Sequence, residues 1–138
     1  MSYKMLEKSN QISIIIPTYN ESQNIINILR SIKDNLPKNI MAQTIVVDDN
    51  SPDGTGKLVE DYLKNIKKMA DYTIEIIHRK AKDGLGSAIL KGIQHAKGDT
   101  IVVMDCDFSH PPQIIPKLIE SIKKYKYDIA VASRYIKG

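Results

Sequence analysis

The amino-acid sequence predicts an α/β fold with a mostly parallel sheet and helices on both faces. Two observations predict it. Apolar runs rich in β-branched residues alternate with amphipathic helical patterns from residue 12 to residue 132. The strand-like runs are continuous in isoleucine and valine, which is typical of strands buried on both faces, whereas half-exposed strands alternate with polar residues.

Five strands and four helices account for this alternation. The strands are predicted at residues 12–16, 44–47, 72–77, 100–104 and 128–132, and the helices at residues 21–35, 56–69, 86–96 and 112–125. Aliphatic residues recur at helical spacing in the first helix and in the last, namely Ile25, Ile28, Leu29 and Ile32, then Ile114, Ile115, Leu118, Ile119 and Ile122. We therefore expect one domain, residues 1–138, in which strands and helices alternate.

The charge balance restricts the classes of partner. The 138 residues carry a net charge of +4 and have an isoelectric point near 9.1, which favours nucleotides, phosphates or an acidic membrane surface. One phenylalanine, no tryptophan and no interleaving of basic with aromatic residues argue against a nucleic-acid partner.

Three features of the sequence bear on its compartment. The single cysteine, Cys106, excludes an internal disulfide and is typical of a reducing environment. No apolar run approaches the length of a membrane span, and the first residues lack the apolar core of a signal peptide. We expect a cytoplasmic location, with peripheral binding to the cytoplasmic face of a membrane as a second option.

Two acidic residues, Asp105 and Asp107, stand directly after the fourth predicted strand. Side chains two apart on an extended segment point to the same side, so both carboxylates can reach one point beyond the end of that strand. Mg²⁺ and Mn²⁺ favour carboxylate oxygens, with water and diphosphate oxygens in the remaining positions. The pair predicts metal-bridged nucleotide chemistry, and capping of the following helix is the alternative.

Polar clusters also follow the other predicted strands. Residues 17–21 follow the first strand, 48–55 the second and 78–86 the third, while Arg134 and Tyr135 follow the fifth. In parallel α/β sheets ligands bind outside the carboxyl ends of the strands, near the point at which the strand order reverses. Each cluster alone could be a turn or a cap, but together they predict a binding site along this rim.

Five motifs, in matching order and at matching spacing, resemble the polyprenyl-phosphate hexose synthases, a group that includes the dolichol-phosphate mannose synthases, within the inverting GT-A glycosyltransferases of family 2. The motifs are IIPTYNES, IVVDDNSPDGT, DGLGSAILKGI, MDCDFSHPP and ASRY. The resemblance extends from residue 12 to residue 137 and implies a Rossmann-like GT-A nucleotide-sugar-binding domain. Family members continue beyond the last residue of this sequence, so we expect a domain truncated after its fifth strand.

The resemblance implies a set of nucleotide-binding residues. Tyr19 would lie beside the base and Glu21 near the ribose, while Asp49 would accept a hydrogen bond from a ring nitrogen of guanine or uracil. A turn at Tyr19 and a helix-dipole role for Glu21 are the alternatives. The full implied set is Pro17, Tyr19, Glu21, Val47, Asp49, Met104 and Asp105.

The resemblance also implies a metal site and catalytic residues. Asp105 and Asp107 would hold Mg²⁺ or Mn²⁺ across the two phosphates, with Ser109 as a further polar contact on the metal side. Asp107 and Arg134 are the implied catalytic residues, and Arg134 would face the phosphates or the sugar. A solvated Arg134 is the alternative. Cys106 is expected to pack in the core. His78 and His95 lack partners at catalytic spacing, and His110, beside two prolines, is expected to be a turn residue.

The implied activity is metal-dependent transfer of a hexose, in the first place mannose from GDP-mannose, to a polyprenyl (dolichyl) phosphate with inversion. This acceptor needs no protein base, because a phosphate monoester has a second pKa of about 6 and is largely a dianion at neutral pH. Two alternatives stay open: a polyprenyl-phosphate glucosyltransferase that uses UDP-glucose, and a nucleotide-sugar-binding fragment without transferase activity of its own. Self-association at an apolar edge left by truncation is a further option.

Overall fold

A four-stranded parallel sheet forms the centre of the computed structural model, which describes residues 10–133 and residue 135. Its strands are β1 (Gln11–Thr18), β2 (Met41–Asp48), β3 (Tyr72–His78) and β4 (Thr100–Val103). They lie in the order β3-β2-β1-β4, and each neighbouring pair is parallel. The predicted α/β class and the parallel sheet are confirmed.

Four helices of equal length connect or follow these strands. They are α1 (Ile25–Asn35), α2 (Thr55–Asn65), α3 (Leu85–His95) and α4 (Ile115–Tyr125), and a 3₁₀ turn at Pro112–Ile114 leads into α4. Pro116 stands in the first turn of α4, where a missing backbone N–H costs no intrahelical hydrogen bond. No helix in the described part of the chain is long and apolar enough to cross a membrane.

The helices cover the two faces of the sheet unequally. Helices α1, α2 and α4 contribute to a large apolar cluster that includes Ile12, Ile14 and Ile16 of β1, whereas α3 covers a small cluster around Ile15. Helix α3 lies close to β1 because it carries Gly92 at the contact, where any added Cβ would collide with the Ile15 side chain. The alternation along β1 thus buries successive residues in different layers of the core.

The strand order predicts a crevice at one end of the sheet. The chain runs outward from β1 to β2 and β3, and then returns to add β4 on the other side of β1. The strand order therefore reverses between β1 and β4, and at such a point the loops after neighbouring strands separate and leave room for a ligand. The loops that follow β1, β2, β3 and β4 all leave the sheet at this end because the strands are parallel.

The fifth predicted strand, residues 128–132, is absent, and that prediction was wrong. These residues form no ladder, and β4 pairs with β1 alone among the described strands. Ile129 and Val131 are 80% and 78% exposed. The aliphatic pattern predicts a buried strand, but a strand of this kind is stabilised by helices packed on its faces, and no described element covers these two side chains.

The two largest differences between predicted and observed helix boundaries are at the start of α1 and the end of α2. Helix α1 begins at Ile25 rather than residue 21, because residues 21–24 form a turn in which the Glu21 carbonyl accepts the N–H groups of Asn24 and Ile25. Helix α2 ends at Asn65 rather than residue 69, because Ile66 is extended and leads the chain toward β3. The first difference matters for the site, since it leaves Glu21 on a loop.

Candidate functional site

The site is built from four loops at the carboxyl end of the sheet. We name them by the strand they follow: the β1 loop (residues 19–24), the β2 loop (49–54), the β3 loop (79–84) and the β4 loop (104–111). Several residues in them adopt positive φ without being glycine, namely Asn20, Asn50 and Phe108. Asparagine tolerates this conformation better than most residues, so Asn20 and Asn50 are well suited to the turns in which they lie.

Asp49 and Arg79 form a largely buried ion pair at the start of the β2 and β3 loops. Their side chains are 7% and 12% exposed, and Asp49 Oδ1 lies 3.1 Å from Arg79 Nη1. Neither atom makes a well-aligned hydrogen bond within the described residues. The second guanidinium nitrogen, Nη2, donates to Ser87 Oγ at 2.6 Å. Both atoms are shielded from solvent and face each other, which leaves the other carboxylate oxygen, Asp49 Oδ2, as the acceptor that a ligand could reach.

Tyr19 and Glu21 stand beside this pair on the β1 loop. The Tyr19 ring is 39% exposed, and the ammonium group of Lys82 lies 4.2 Å from its centroid. Lys82 belongs to the β3 loop, so this cation–π contact brings that loop over the ring. Glu21 Oε2 accepts a hydrogen bond from Asn24 Nδ2 at 3.0 Å. An aromatic ring, two cationic groups and two carboxylates therefore lie on or directly beside the β1, β2 and β3 loops at this rim.

Asp53 joins the β1 loop to the β2 loop. Its Oδ2 accepts the Ser22 N–H at 3.0 Å, and its Oδ1 accepts the Thr55 N–H at 3.0 Å and the Thr55 hydroxyl at 2.6 Å. Partial desolvation opposes ionisation of this carboxyl, but the hydrogen bonds from Thr55 and Ser22 outweigh it and lower the pKa of Asp53 from 3.8 to about 2.

This lowered pKa predicts an acid-sensitive contribution to stability. Asp53 contributes when it is ionised, so its stabilisation is present above pH 3.8 and is lost as the pH falls toward about 2. We expect Asp53→Asn to lower the free energy of unfolding above pH 4.5 and to have little effect at pH 2, as measured by urea unfolding at several pH values. Asp99→Asn, at the opposite end of the sheet, is the matched control. A difference between parent and Asp53→Asn that stays constant over this range would contradict the assignment.

Asp105 and Asp107 lie on the β4 loop, directly after β4. Cys106 between them is 2% exposed and belongs to the core, so the two carboxylates leave the chain on its other, solvent side. Burial raises the pKa of the Cys106 thiol to about 12, as expected for a packing role. The Ser109 N–H donates to Asp107 Oδ1 at 2.9 Å, and hydrogen bonding from Ser109 lowers the pKa of Asp107.

His110 contacts the first carboxylate. Its Nδ1 accepts the Asp105 N–H at 3.0 Å and lies 3.7 Å from Asp105 Oδ2. In the neutral ring the proton is then on Nε2, because an acceptor nitrogen cannot carry it. His110 therefore fixes the backbone from which Asp105 projects, a role that the sequence did not indicate.

The two carboxylates fit a hard divalent cation. Among residues 10–133 and 135, no three or more His, Cys, Asp or Glu side chains group closely enough to enclose a metal ion. Asp105 and Asp107 are instead an open pair, with Asp107 Oδ2 unused by the hydrogen bond from Ser109. This donor set suits Mg²⁺ or Mn²⁺, which retain water and take diphosphate oxygens, and does not suit a closed structural zinc site.

The predicted site residues fall into three groups. Tyr19, Glu21, Asp49, Asp105, Asp107 and Ser109 project from the rim loops. Pro17, Val47 and Met104 lie at the rim ends of their strands; Val47 and Met104 are 0% and 3% exposed, so a contact from either would come from its backbone. Arg134 lies outside the described residues, and its predicted role stays a prediction.

Arg79 and Lys82 are the site residues that sequence reasoning missed. Asp48 of β2 pairs in register with His78 of β3, so Asp49 and Arg79 are the first residues beyond two neighbouring strands. That equivalence could have been found by aligning the predicted strand ends, because parallel neighbours place equivalent residues side by side. The contact of Lys82 depends on the path of a loop and left no sequence signal.

The fold is that of an α/β domain of the GT-A glycosyltransferase type. The mannosyltransferase PcManGT from Pyrobaculum calidifontis, solved with GDP-Man and Mn²⁺, superposes with a TM-score of 0.70 at 24% sequence identity. The superposition covers 81% of this chain and 32% of PcManGT. At this identity the likeness establishes the fold.

Sequence comparison establishes the family. A profile described as Glycosyl transferase family 2 matches residues 13–138, and the chain belongs to that family. It is 43% identical over 128 residues to a dolichol-phosphate mannosyltransferase of Pyrococcus furiosus, and 36% identical over 127 residues to an undecaprenyl-phosphate mannosyltransferase of Micrococcus luteus. These matches cover 93% and 90% of this chain, but 34% and 48% of the two relatives. The chain thus corresponds to a third to a half of their length.

Proposed function

We propose that this chain is the nucleotide-sugar-binding part of a metal-dependent glycosyltransferase that moves mannose from GDP-mannose to a polyprenyl phosphate with inversion. The observation that carries the proposal is the arrangement of the rim. The Asp49–Arg79 pair and the Tyr19 ring lie after the strands on one side of the crevice, and Asp105 and Asp107 follow β4 on the other. Such a crevice could accommodate the three parts of a nucleoside diphosphate sugar, namely the base, the two phosphates and the sugar.

The proposed base contact follows from hydrogen-bond chemistry. Asp49 Oδ1 is paired with Arg79 Nη1 at 3.1 Å, so Asp49 Oδ2 is the acceptor available to a base. Guanine and uracil both present a ring N–H, which complements an acceptor, whereas adenine has an unprotonated ring nitrogen at the same edge. The pair therefore supports a guanine or uracil nucleotide and gives no preference between the two.

Asp105 and Asp107 would hold the divalent cation, with Mn²⁺ or Mg²⁺ as the proposed ion. A cation bound there would act as a Lewis acid on the leaving nucleoside diphosphate. The chain's own contribution is to orient both carboxylates. The Ser109 N–H fixes Asp107 at 2.9 Å, and His110 fixes the backbone at Asp105. Arg134 remains a proposed contact to the phosphates or sugar.

The acceptor assignment rests on the chemistry of polyprenyl phosphate and on the names of the two relatives. A phosphate dianion is already nucleophilic at neutral pH, so displacement at the anomeric carbon needs no protein base. The net charge of +4 favours an anionic acceptor at a membrane surface. We place the reaction at the cytoplasmic face of a membrane, and we infer no nucleic-acid partner.

Transfer of labelled sugar tests the proposal. The protein is incubated with Mn²⁺, a short polyprenyl phosphate and either GDP-[¹⁴C]mannose or UDP-[¹⁴C]glucose, beside a version extended to the length of the relatives. We expect mannosyl lipid from the GDP-mannose arm of the extended protein, and much slower formation by the 138 residues alone, because enclosure of the sugar contributes much of the positioning.

Each of the other possible outcomes of this assay would either support one of the alternative functions or contradict the metal assignment. Product from the UDP-glucose arm alone would replace the mannosyl assignment by a glucosyl one. Binding of GDP-mannose without product from either length would leave a nucleotide-sugar-binding protein without transferase activity. Product without added Mn²⁺ in the presence of EDTA would contradict the metal assignment.

A further inference from the structure

Three consecutive backbone N–H groups of the β1 loop end on side chains of the β2 loop and the start of α2. Asn20 donates to Ser51 Oγ at 3.0 Å, Glu21 to Thr55 Oγ1 at 2.9 Å and Ser22 to Asp53 Oδ2 at 3.0 Å. Backbone N–H groups on surface loops usually bond to water. Here three successive N–H groups bond to protein side chains instead, so the β1 loop is held against the β2 loop and the start of α2.

In two of these cases the accepting hydroxyl group in turn donates a hydrogen bond to a carboxylate, and we call each such pair of bonds a relay. The Thr55 hydroxyl donates its one hydrogen to Asp53 Oδ1 at 2.6 Å, so it can only accept from Glu21. The Ser51 hydroxyl likewise donates to Asp48 Oδ1 at 2.6 Å and accepts from Asn20. Each hydroxyl is oriented by a charged acceptor, which makes both relays directional and stronger than neutral hydrogen bonds.

The relays act on the segment that carries the nucleoside contacts. Tyr19 immediately precedes the three bonded N–H groups, and Glu21 is one of the donors. Asn20 adopts φ +58°, a conformation that costs energy for a residue with a side chain and persists where the surroundings impose it. The relays from Ser51 and Thr55 flank that residue on both sides. The backbone that follows Tyr19 is therefore bonded, through these two hydroxyls, to the two carboxylates.

We propose that Asp48 and Asp53 are positioning residues of the nucleotide site, which hold Tyr19 and Glu21 in place through the hydroxyls of Ser51 and Thr55. This rests on the nucleotide-binding role proposed above. Of the three carboxylates in this stretch, Asp48 and Asp53 accept N–H and hydroxyl groups from within the protein, Asp48 being 2% exposed, whereas Asp49 is paired with Arg79. The three carboxylates thus have two proposed roles: Asp48 and Asp53 position the β1 loop, and Asp49 contacts the nucleotide.

Thr55 offers the sharpest test, because it can be changed in two ways. Thr55→Val removes the hydroxyl and keeps the shape, whereas Thr55→Ser keeps the hydroxyl. Two quantities are measured: amide hydrogen exchange of residues 20–22 without nucleotide, and the Kd for GDP with Mn²⁺ by calorimetry well below the melting temperature. We expect Thr55→Val to speed exchange and weaken binding about tenfold each, with Thr55→Ser close to the parent.

A structural control separates positioning from loss of stability. The Thr44 hydroxyl bonds to the Tyr72 hydroxyl at 3.0 Å inside the sheet, away from the rim. Thr44→Val should lower the melting temperature and leave the Kd unchanged. Tyr19→Ala completes a thermodynamic cycle: if the relay acts through the ring, Thr55→Val should cost much less affinity in the Tyr19→Ala background. Asp53→Ala, at an exposed position, should reproduce Thr55→Val should that variant fail to fold.

The possible failures can be told apart. A parent chain that binds neither GDP nor UDP with Mn²⁺ would refute the proposed function and this role with it. A parent that binds, with unchanged exchange or unchanged Kd in Thr55→Val, would refute the positioning role alone. Equal loss of affinity in the Tyr19 and Tyr19→Ala backgrounds would show that the carboxylates do not act through that ring.

Discussion

Replacing Asp107 by alanine is expected to abolish the dependence of nucleotide binding on the metal. Asp107 is one of the two carboxylates that would hold the cation, so its removal should weaken the metal's contribution to binding of the diphosphate. For the parent, GDP at a hundredfold excess over Kd should add about 2.7 kcal/mol to the free energy of unfolding, a rise in melting temperature of roughly 10 °C, and only with Mn²⁺ or Mg²⁺. The measurement is a thermal melt of both proteins with GDP or UDP, with and without the metal.

The control for this experiment is Asp61→Ala. Asp61 is also an exposed carboxylate, held at 2.8 Å by Lys57 on the surface of α2, and its removal should leave the metal-dependent rise intact. Asp107→Glu is a second variant, which keeps the charge and moves it outward by one methylene group. If GDP with Mn²⁺ stabilises Asp107→Ala as much as the parent, Asp107 is not a metal ligand.

Arg79→Met is expected to lower both stability and nucleotide affinity. It leaves the Asp49 carboxylate, 7% exposed, without its cation, and breaking a buried pair by removing one partner costs about 3 kcal/mol. Asp49→Leu removes the other partner. The double variant should recover much of the lost stability, because no uncompensated charge remains, but it should not recover nucleotide binding. Urea unfolding and calorimetry with GDP and ADP measure the two effects.

Comparing the free energy of unfolding with the nucleotide affinity distinguishes a structural role of the Asp49–Arg79 pair from a role in base recognition. If the pair has only a structural role, the double variant should bind GDP as the parent does. If it reads the base edge, affinity should stay lower by about 1.5 to 3 kcal/mol in all three variants, the range for hydrogen bonds to charged groups. Tight ADP binding by the parent would contradict the proposed contact, because adenine lacks the ring N–H.

The fold and the location of the site follow from local patterns. Continuous runs of isoleucine and valine between amphipathic segments predicted four strands that the structure confirms, since burial on both faces selects those side chains wherever the strands lie in the chain. The parallel order then placed every strand end on one rim. Asp105 and Asp107 could be selected from sequence because alternation along an extended segment is a local property.

Other features depended on contacts between distant segments. The pattern at residues 128–132 predicts a strand, yet Ile129 and Val131 have no covering element, so the same composition gives an exposed segment. Register across β2 and β3 decides that Arg79 meets Asp49. The two residues are far apart in the sequence, so their contact becomes apparent only when β2 and β3 are placed side by side.

The amino-acid sequence by itself determined the α/β class, the family and the residue types at the rim, because side-chain burial and strand periodicity act over a few residues. Only the tertiary structure decided which carboxylate has which role. Asp48, Asp49 and Asp53 are the same residue type, but two accept hydroxyl and N–H groups from within the protein, and the third is paired with Arg79. Those partners come from other loops, and the arrangement of loops is fixed by the packing of the whole sheet.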